Sequence, residues 1–203
     1  MPRKRDEVKR QELLQQIRGY LTQHGIADVT LRPMARALGT SDRMLLYYFG
    51  SKEQMLLEAL APVEIRPLPV LQERLATPGV PRDGLELREL LDEAWQVFTG
   101  PTLRPLMPLF LEATALGLPR ASQHASLMRG TLQAWTETLT SALCGLGLSP
   151  RRAHVEATAV VSAMFGLLWE LIIDRDDQRT QDAFAALLDR FQPGWHPDQA
   201  VAG

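Results

Sequence analysis

Apolar residues in the first sixty positions recur at helical spacing. Leu13, Leu14, Ile17, Tyr20 and Leu21 fall at i, i+1, i+4, i+7 and i+8, while Glu12, Gln15, Gln16, Arg18 and Gln23 face elsewhere. Gly25 follows the last periodic turn, so a first helix is predicted over about 7–24. A second stripe, Leu31, Met34, Ala35 and Leu38, predicts a short helix over 31–38, with Thr30 at the N-cap position and Gly39 as its stop. Pro33 does not break it, because the third helical position has no intrahelical N–H bond to lose. Thr40-Ser41 is the next N-cap signal and opens a two-turn helix from Asp42 to Phe49, which Gly50 interrupts. Ser51 followed three residues later by Gln54 reads as a capping box, and the helix it opens carries Met55, Leu56, Ala59 and Leu60.

Prolines 62, 67, 69, 78 and 81 divide the stretch that follows, leaving a short helix at 68–76. Asp83 and Glu86 read as a second capping box for a helix through Phe98. The segment 103–116 has an irregular start at Pro105 and Pro108. A long helix is predicted over 120–143, and Ser149-Pro150, an N-cap with Pro at the first helical position, starts another to 174. A break over 174–180 precedes a last helix at 179–191. The composition agrees. Leucine occurs 34 times and alanine 22 times, against 15 for valine and isoleucine together. Unbranched side chains lose little rotamer freedom in a helix, so the expectation is an all-α chain, and a Val/Ile-rich sandwich or barrel is excluded.

The formal net charge of −2 hides a split: residues 1–52 hold ten Lys/Arg and five Asp/Glu, and residues 53–203 hold twelve and nineteen. A basic N-terminal module on an acidic remainder points one end of the chain at a polyanion. The single cysteine, Cys144, allows no intrachain disulfide and no cysteine cluster for zinc. Neither a metal nor a cofactor is expected. Residues 1–7 run from basic into acidic and polar residues without an apolar stretch, so no signal peptide is predicted. The apolar run 157–173 is short for a bilayer and holds Thr158, Ser162 and Glu170, which favours a buried helix over a membrane span.

Two short helices joined by a Gly-containing turn, behind a longer helix and inside a basic segment, make a helix-turn-helix, whose second helix enters the DNA major groove. Gly25, Thr30, Ala35, Gly39, Ser41, Leu45, Tyr47, Phe49, Ser51 and Lys52, at these spacings, resemble the N-terminal domain of the TetR family of bacterial transcriptional regulators. The resemblance covers about fifty contiguous residues, and the rest of the chain is similar only as a Leu/Ala-rich helical domain of fitting length. It implies a DNA-binding domain at 1–54 and a helical effector-binding and dimerisation domain at 55–203. It further implies that Thr30 and Lys52 touch phosphates, that Tyr47 and Tyr48 stand against the sugar-phosphate backbone, and that Thr40, Ser41, Asp42, Arg43 and Met44 face base edges. Arg32 completes the DNA-facing set. The side-chain chemistry fits: Arg43 is a bidentate donor suited to guanine, and Met44 packs on a thymine methyl. Lys52 sits at a helix N-terminus, where the dipole opposes a cation unless a phosphate lies beside both. Three positions depart from the usual pattern: Asp42 where relatives are often basic, Arg43 for a frequent Gly, and Leu46 for a common Tyr. Arg3, Lys4 and Arg5 form either a DNA-reaching arm or a solvated tail.

The helix to 174 is apolar nearly all round beyond Ala157 and needs cover on more than one face. A second copy of the chain supplies it, with Val160, Met164, Leu167, Leu171, Phe184, Leu187, Leu188 and Phe191 as the expected interface, a four-helix arrangement that the resemblance also implies. Trp95, Phe98, Met107, Phe110, Met128, Trp135 and Trp169 are either plain core or the lining of an apolar pocket. The resemblance implies a small, largely apolar effector there, a quasi-palindromic duplex as the operator, and a bacterial, cytoplasmic, nucleoid-associated location. The expected function is thus a homodimeric repressor released by its effector, with an effector-independent regulator as the alternative. A helical enzyme is disfavoured: there is no H-E-x-x-H, no Gly-rich phosphate loop, and Glu112, His124, His154 and Glu170 are scattered.

Overall fold

A computed structural model describes residues 4–60, 68–117 and 123–197. Helices run over Lys4–His24 (α1), Leu31–Ala37 (α2), Asp42–Phe49 (α3), Lys52–Leu60 (α4), Leu68–Ala76 (α5), Gly84–Thr99 (α6), Met107–Gly117 (α7), Gln123–Gly145 (α8), Pro150–Asp174 (α9) and Asp177–Phe191 (α10). Short 3-10 turns at Arg104–Leu106 and Gln192–Gly194 flank α7 and α10. Among the described residues there is no strand, and the fold is all-α, with an N-terminal helix-turn-helix domain and a larger helical C-terminal domain.

Most predicted boundaries hold within a few residues, and the departures have local causes. Helix α1 starts at Lys4, so Lys4 and Arg5 extend the first helix; Arg3 lies outside the described residues. The break after α9 covers only Arg175 and Asp176, because the Asp176 carboxylate accepts the Arg179 N–H at 3.0 Å and restarts the helix at once. Arg175 makes the corner with a left-handed φ of 56°. Ser51 accepts the Gln54 N–H at 3.0 Å, as expected, but the Gln54 amide turns away to Glu58 at 3.1 Å, leaving half a capping box. At α6, Asp83 accepts from the N–H groups of Leu85 and Glu86, while the Glu86 carboxylate takes the N–H of Arg82.

The chain forms two compact units that interleave along the sequence. The first takes in Met1–Ala61 and Pro105–Arg129, so α7 belongs with the helices expected to bind DNA. Its core is built from Leu13, Leu14, Ile17 and Leu21 of α1, Met34 and Ala35 of α2, Leu45 and Phe49 of α3, and Met55, Leu56, Ala59 and Leu60 of α4. Arg18 ties α1 to the end of α4 by donating to the Ala59 carbonyl at 2.8 Å. The second unit takes in Pro62–Arg104 and Gly130–Gly203. Here α6 buries Leu87, Leu90, Leu91, Ala94, Trp95 and Phe98, α9 buries a stripe from Ala153 to Leu171, and α10 buries Phe184 and Leu188. Trp95 stacks on Phe184 with ring centres 4.6 Å apart and donates its indole N–H to Gln181 at 2.6 Å, so the ring is buried without an unmet donor.

Candidate nucleic-acid interface

The turn between α2 and α3 is assembled from backbone chemistry. Gly39 takes a φ of 65°, which lets its N–H reach the Arg36 carbonyl and the Thr40 N–H reach the Ala35 carbonyl. That pair of bonds is a Schellman motif, and it closes α2. Ser41 follows in extended conformation and accepts the Met44 N–H at 3.2 Å, starting α3. Gly50, at a φ of 78°, ends α3 by donating to the Leu46 carbonyl. Leu45 and Phe49, four residues apart, turn into the core, which leaves the opposite face of α3 outward.

That outward face carries the residues singled out from the sequence. Ser41, Arg43, Met44 and Tyr47 are exposed, Tyr47 at 70 %, and Thr40, Asp42 and Tyr48 are half-buried. The Tyr47 and Tyr48 rings meet edge to face at 5.2 Å. Thr30 stands at the N-cap of α2 in extended conformation, yet its side chain makes no capping bond. Its position is the one predicted; the expected capping role is not filled. Arg32 is exposed on α2 and pairs with Asp42, Nε to Oδ2, at 3.7 Å. Lys52 is half-buried at the start of α4. The ten residues therefore lie on α2, α3, the turn between them and the first turn of α4.

Two contacts that hold this module were not legible in the sequence. Glu112 of α7 accepts the N–H groups of Ile26 at 2.9 Å and Ala27 at 2.8 Å, pinning the loop that leads into α2. Gly25 allows the approach: its φ is 72°, and a Cβ there would sit 3.1 Å from a Glu112 oxygen. Nothing in the spacing of residues 85 apart signals such a bond, although the glycine itself marks a special turn. Arg10 of α1 lies over the Phe49 ring at 5.4 Å and pairs with Glu58 of α4, so a cation-π contact and an ion pair support α3 from behind.

Residues 13–59 match the family described as bacterial regulatory proteins, tetR family. That match spans the helix-turn-helix of α2 and α3 together with most of α1 and α4. Among solved structures the chain is similar to a transcriptional regulator from Rhodococcus sp. Rha1, at 17 % identity and a TM-score of 0.71, over 91 % of this chain and 96 % of that one. It is also similar to NalD, the secondary repressor of the MexAB-OprM multidrug efflux pump in Pseudomonas aeruginosa, at 19 % identity and a TM-score of 0.68, over 97 % of this chain and all of that one. No curated protein matches the chain.

The remaining predicted residues of the chain divide between the units. Of the aromatic and methionine set, Met107 and Phe110 are buried in the first unit, and the Met128 side chain lies outside the described residues. Trp95, Phe98 and Trp135 are buried and Trp169 half-buried in the second unit, where Phe98 meets Trp135 and Phe165 edge-on at 5.6 and 5.8 Å. A half-open cavity of about 330 Å³ in that unit is bordered by Trp95, Gln96, Thr99, Asp177, Gln178 and Gln181, and Trp95 is the only residue of the predicted set that lines it. Its lining is far more polar than an apolar pocket requires. Of the expected interface, Val160, Met164, Leu171, Phe184 and Leu188 are buried inside the single chain and have no surface left for a partner. Leu167, Leu187 and Phe191 keep part of theirs.

Proposed function

We propose that this chain is a tetR-family transcriptional regulator, a homodimeric repressor that binds a quasi-palindromic duplex through α2, α3 and the start of α4, and that a small, largely apolar effector releases it. The observation that carries the reading is the outward face of α3: a helix anchored by Leu45 and Phe49 that presents Ser41, Arg43, Met44 and Tyr47 to solvent. Arg43 and Met44 are the base readers, Thr30, Arg32 and Lys52 the phosphate contacts, and Tyr47 and Tyr48 rest on the sugar-phosphate backbone. The Thr30 hydroxyl, unused as a cap, has a donor to offer a phosphate.

Dimerisation is the second part of the proposal, and it rests on α9. This helix is long and apolar enough to cross a membrane, a property it shares with core helices of soluble proteins. Its inner stripe packs within the chain, and its outer stripe is Val155, Ala159, Ser162, Gly166, Trp169 and Ile173, spaced alternately by four and three residues. Val155 and Ile173 are 61 % and 70 % exposed. A seam at this spacing with small residues at its centre suits close packing against the same helix of a second copy, with Leu167, Leu187 and Phe191 at its margin. Two copies then read two half-sites about one helical turn apart. The repressor assignment is supported by the similarity to NalD, itself a repressor. The protein acts in the cytoplasm by binding, with no step of catalysis. Selection from a random duplex pool tests the reading: a two-fold symmetric site bound by two copies, with affinity falling steeply as salt rises, is expected. Failure to enrich any duplex at moderate salt overturns it.

A further inference from the structure

We propose that Asp42 is a specificity-determining residue that selects cytosine in each half-site, on or beside the base pair whose guanine Arg43 reads. The inference rests on the DNA-binding reading above and adds to it the identity of one base. Asp42 is the first residue of α3, and its carboxylate meets the Arg32 guanidinium and the Arg43 backbone. Oδ1 accepts the Arg43 backbone N–H at 3.0 Å, which sets the side-chain rotamer, and Oδ2 lies 3.7 Å from Nε of Arg32. The carboxylate stays 45 % exposed, and Arg32 stays 89 % exposed.

Asp42 in the first turn suits the dipole of α3, but neither that nor capping accounts for its pairing with Arg32. An ion pair this exposed adds little to stability. The N-cap bond of α3 is already supplied by Ser41. A lone acidic group on a surface that meets phosphates is repelled, but here Arg32 and Arg43 give the trio a net positive charge, so the carboxylate can approach the duplex. An ionised carboxylate has about four acceptor sites and no donor, and the two contacts leave part of that capacity for a base. In the major groove only cytosine N4 and adenine N6 donate, and adenine sets the N7 acceptor beside its amine, where it faces the second carboxylate oxygen. Guanine O6 and N7 and thymine O4 are acceptors and repel it. Cytosine is the base left, and its partner guanine offers O6 and N7 to the adjacent Arg43.

The test is selection from a random duplex pool with the full-length wild type, Asp42→Ala and Asp42→Asn, followed by titration of single-base variants of the selected site. The wild type is expected to select one cytosine per half-site whose replacement weakens binding about 10- to 100-fold, the span of one direct base contact. Asp42→Ala should lose the preference at that position alone, and Asp42→Asn, with a donor and an acceptor, should move it toward adenine. Identical preferences for Asp42→Ala and wild type at every position overturn the proposal, including the case of uniformly tighter binding, which reduces Asp42 to a group that repels phosphate. Enrichment of no duplex by the wild type is a different failure, and it sinks the DNA-binding reading itself. Asp42→Asn is isosteric at a half-exposed position, so a folded variant is at hand should Asp42→Ala be unstable.

Discussion

At the scale of single residues, donors that read bases and donors that hold phosphates have separable signatures. In the proposed reading Arg43 is a bidentate base contact, so Arg43→Ala should weaken binding by about 1–3 kcal/mol at one position and flatten base preference there. Lys52 is the proposed phosphate contact, so with Lys52→Ala affinity should fall by a similar factor on every duplex, and the slope of log K against log salt should shrink by about one unit. Titrating both variants against selected and scrambled duplexes at several salt concentrations distinguishes them. Gly39 is decided by backbone strain alone. Its φ of 65° is costly for any residue with a Cβ, and a Cβ there meets nothing within 4 Å, so no steric clash contributes. Gly39→Ala should cost about 1–2 kcal/mol, read as a lowered midpoint in thermal or chemical denaturation.

At the scale of elements, a few polar latches hold helices in place that apolar packing alone leaves free to slide. Glu112 joins α7 to the loop before α2 through two charge-assisted bonds. Glu112→Ala leaves both N–H groups without their partner and should cost about 1–3 kcal/mol. Because that loop sets the entry to α2, operator affinity should fall as well, while Glu112→Gln, which keeps an acceptor, should retain part of both. Denaturation and duplex titration on the same preparations check the pair of effects. In the second unit, Arg104 grips Asp177 with two bonds of 2.6 Å. The hydrogen bond from Arg104, and then its charge, hold the Asp177 carboxyl below its ordinary value of 3.8. A carboxyl depressed in the folded state contributes stability above its unfolded value, and that contribution disappears as pH falls through the folded one. Arg104→Ala should therefore lower the melting temperature near neutral pH, and the gap from wild type should narrow below about pH 4. A melting series from neutral to acid reads it.

At the scale of the whole molecule, the charge split and the outer face of α9 belong together in one argument. In the proposed reading, a module with ten basic and five acidic residues on an acidic body meets DNA at one end only, and dimerisation doubles the number of phosphates it can neutralise. The proposed seam makes a direct forecast. Val155→Glu or Ile173→Glu places a charge at one end of the proposed seam between copies while leaving each chain's own core untouched, since both side chains are exposed. The variants should sediment as folded monomers with unchanged helicity and should lose most operator affinity, because two linked half-sites become two separate ones. Retention of a dimer by both variants would move the interface elsewhere.

Much of this protein was determined by the sequence itself, through rules that act over one or two helical turns. The periodicity of Leu13 to Leu21, the glycines at 25, 39 and 50, and the caps at Ser41, Ser51 and Asp83 are local causes, and the helices follow from them. The DNA-reading segment was legible for the same reason: a helix, a turn and a second helix lie within twenty residues, and their side chains are spaced by helical geometry alone. Tertiary structure decided what depends on distant partners. It placed Glu112 on a loop 85 residues away, put Arg10 behind Phe49, and assigned α7 to the first compact unit. It also decided which of the two apolar stripes of α9 faces inward. A helix apolar on several sides does not say which side its neighbours will cover, so Val160, Met164 and Leu171 went to the core and Val155 and Ile173 to the surface. Hydrophobic burial is non-directional, and only the packed chain breaks that tie.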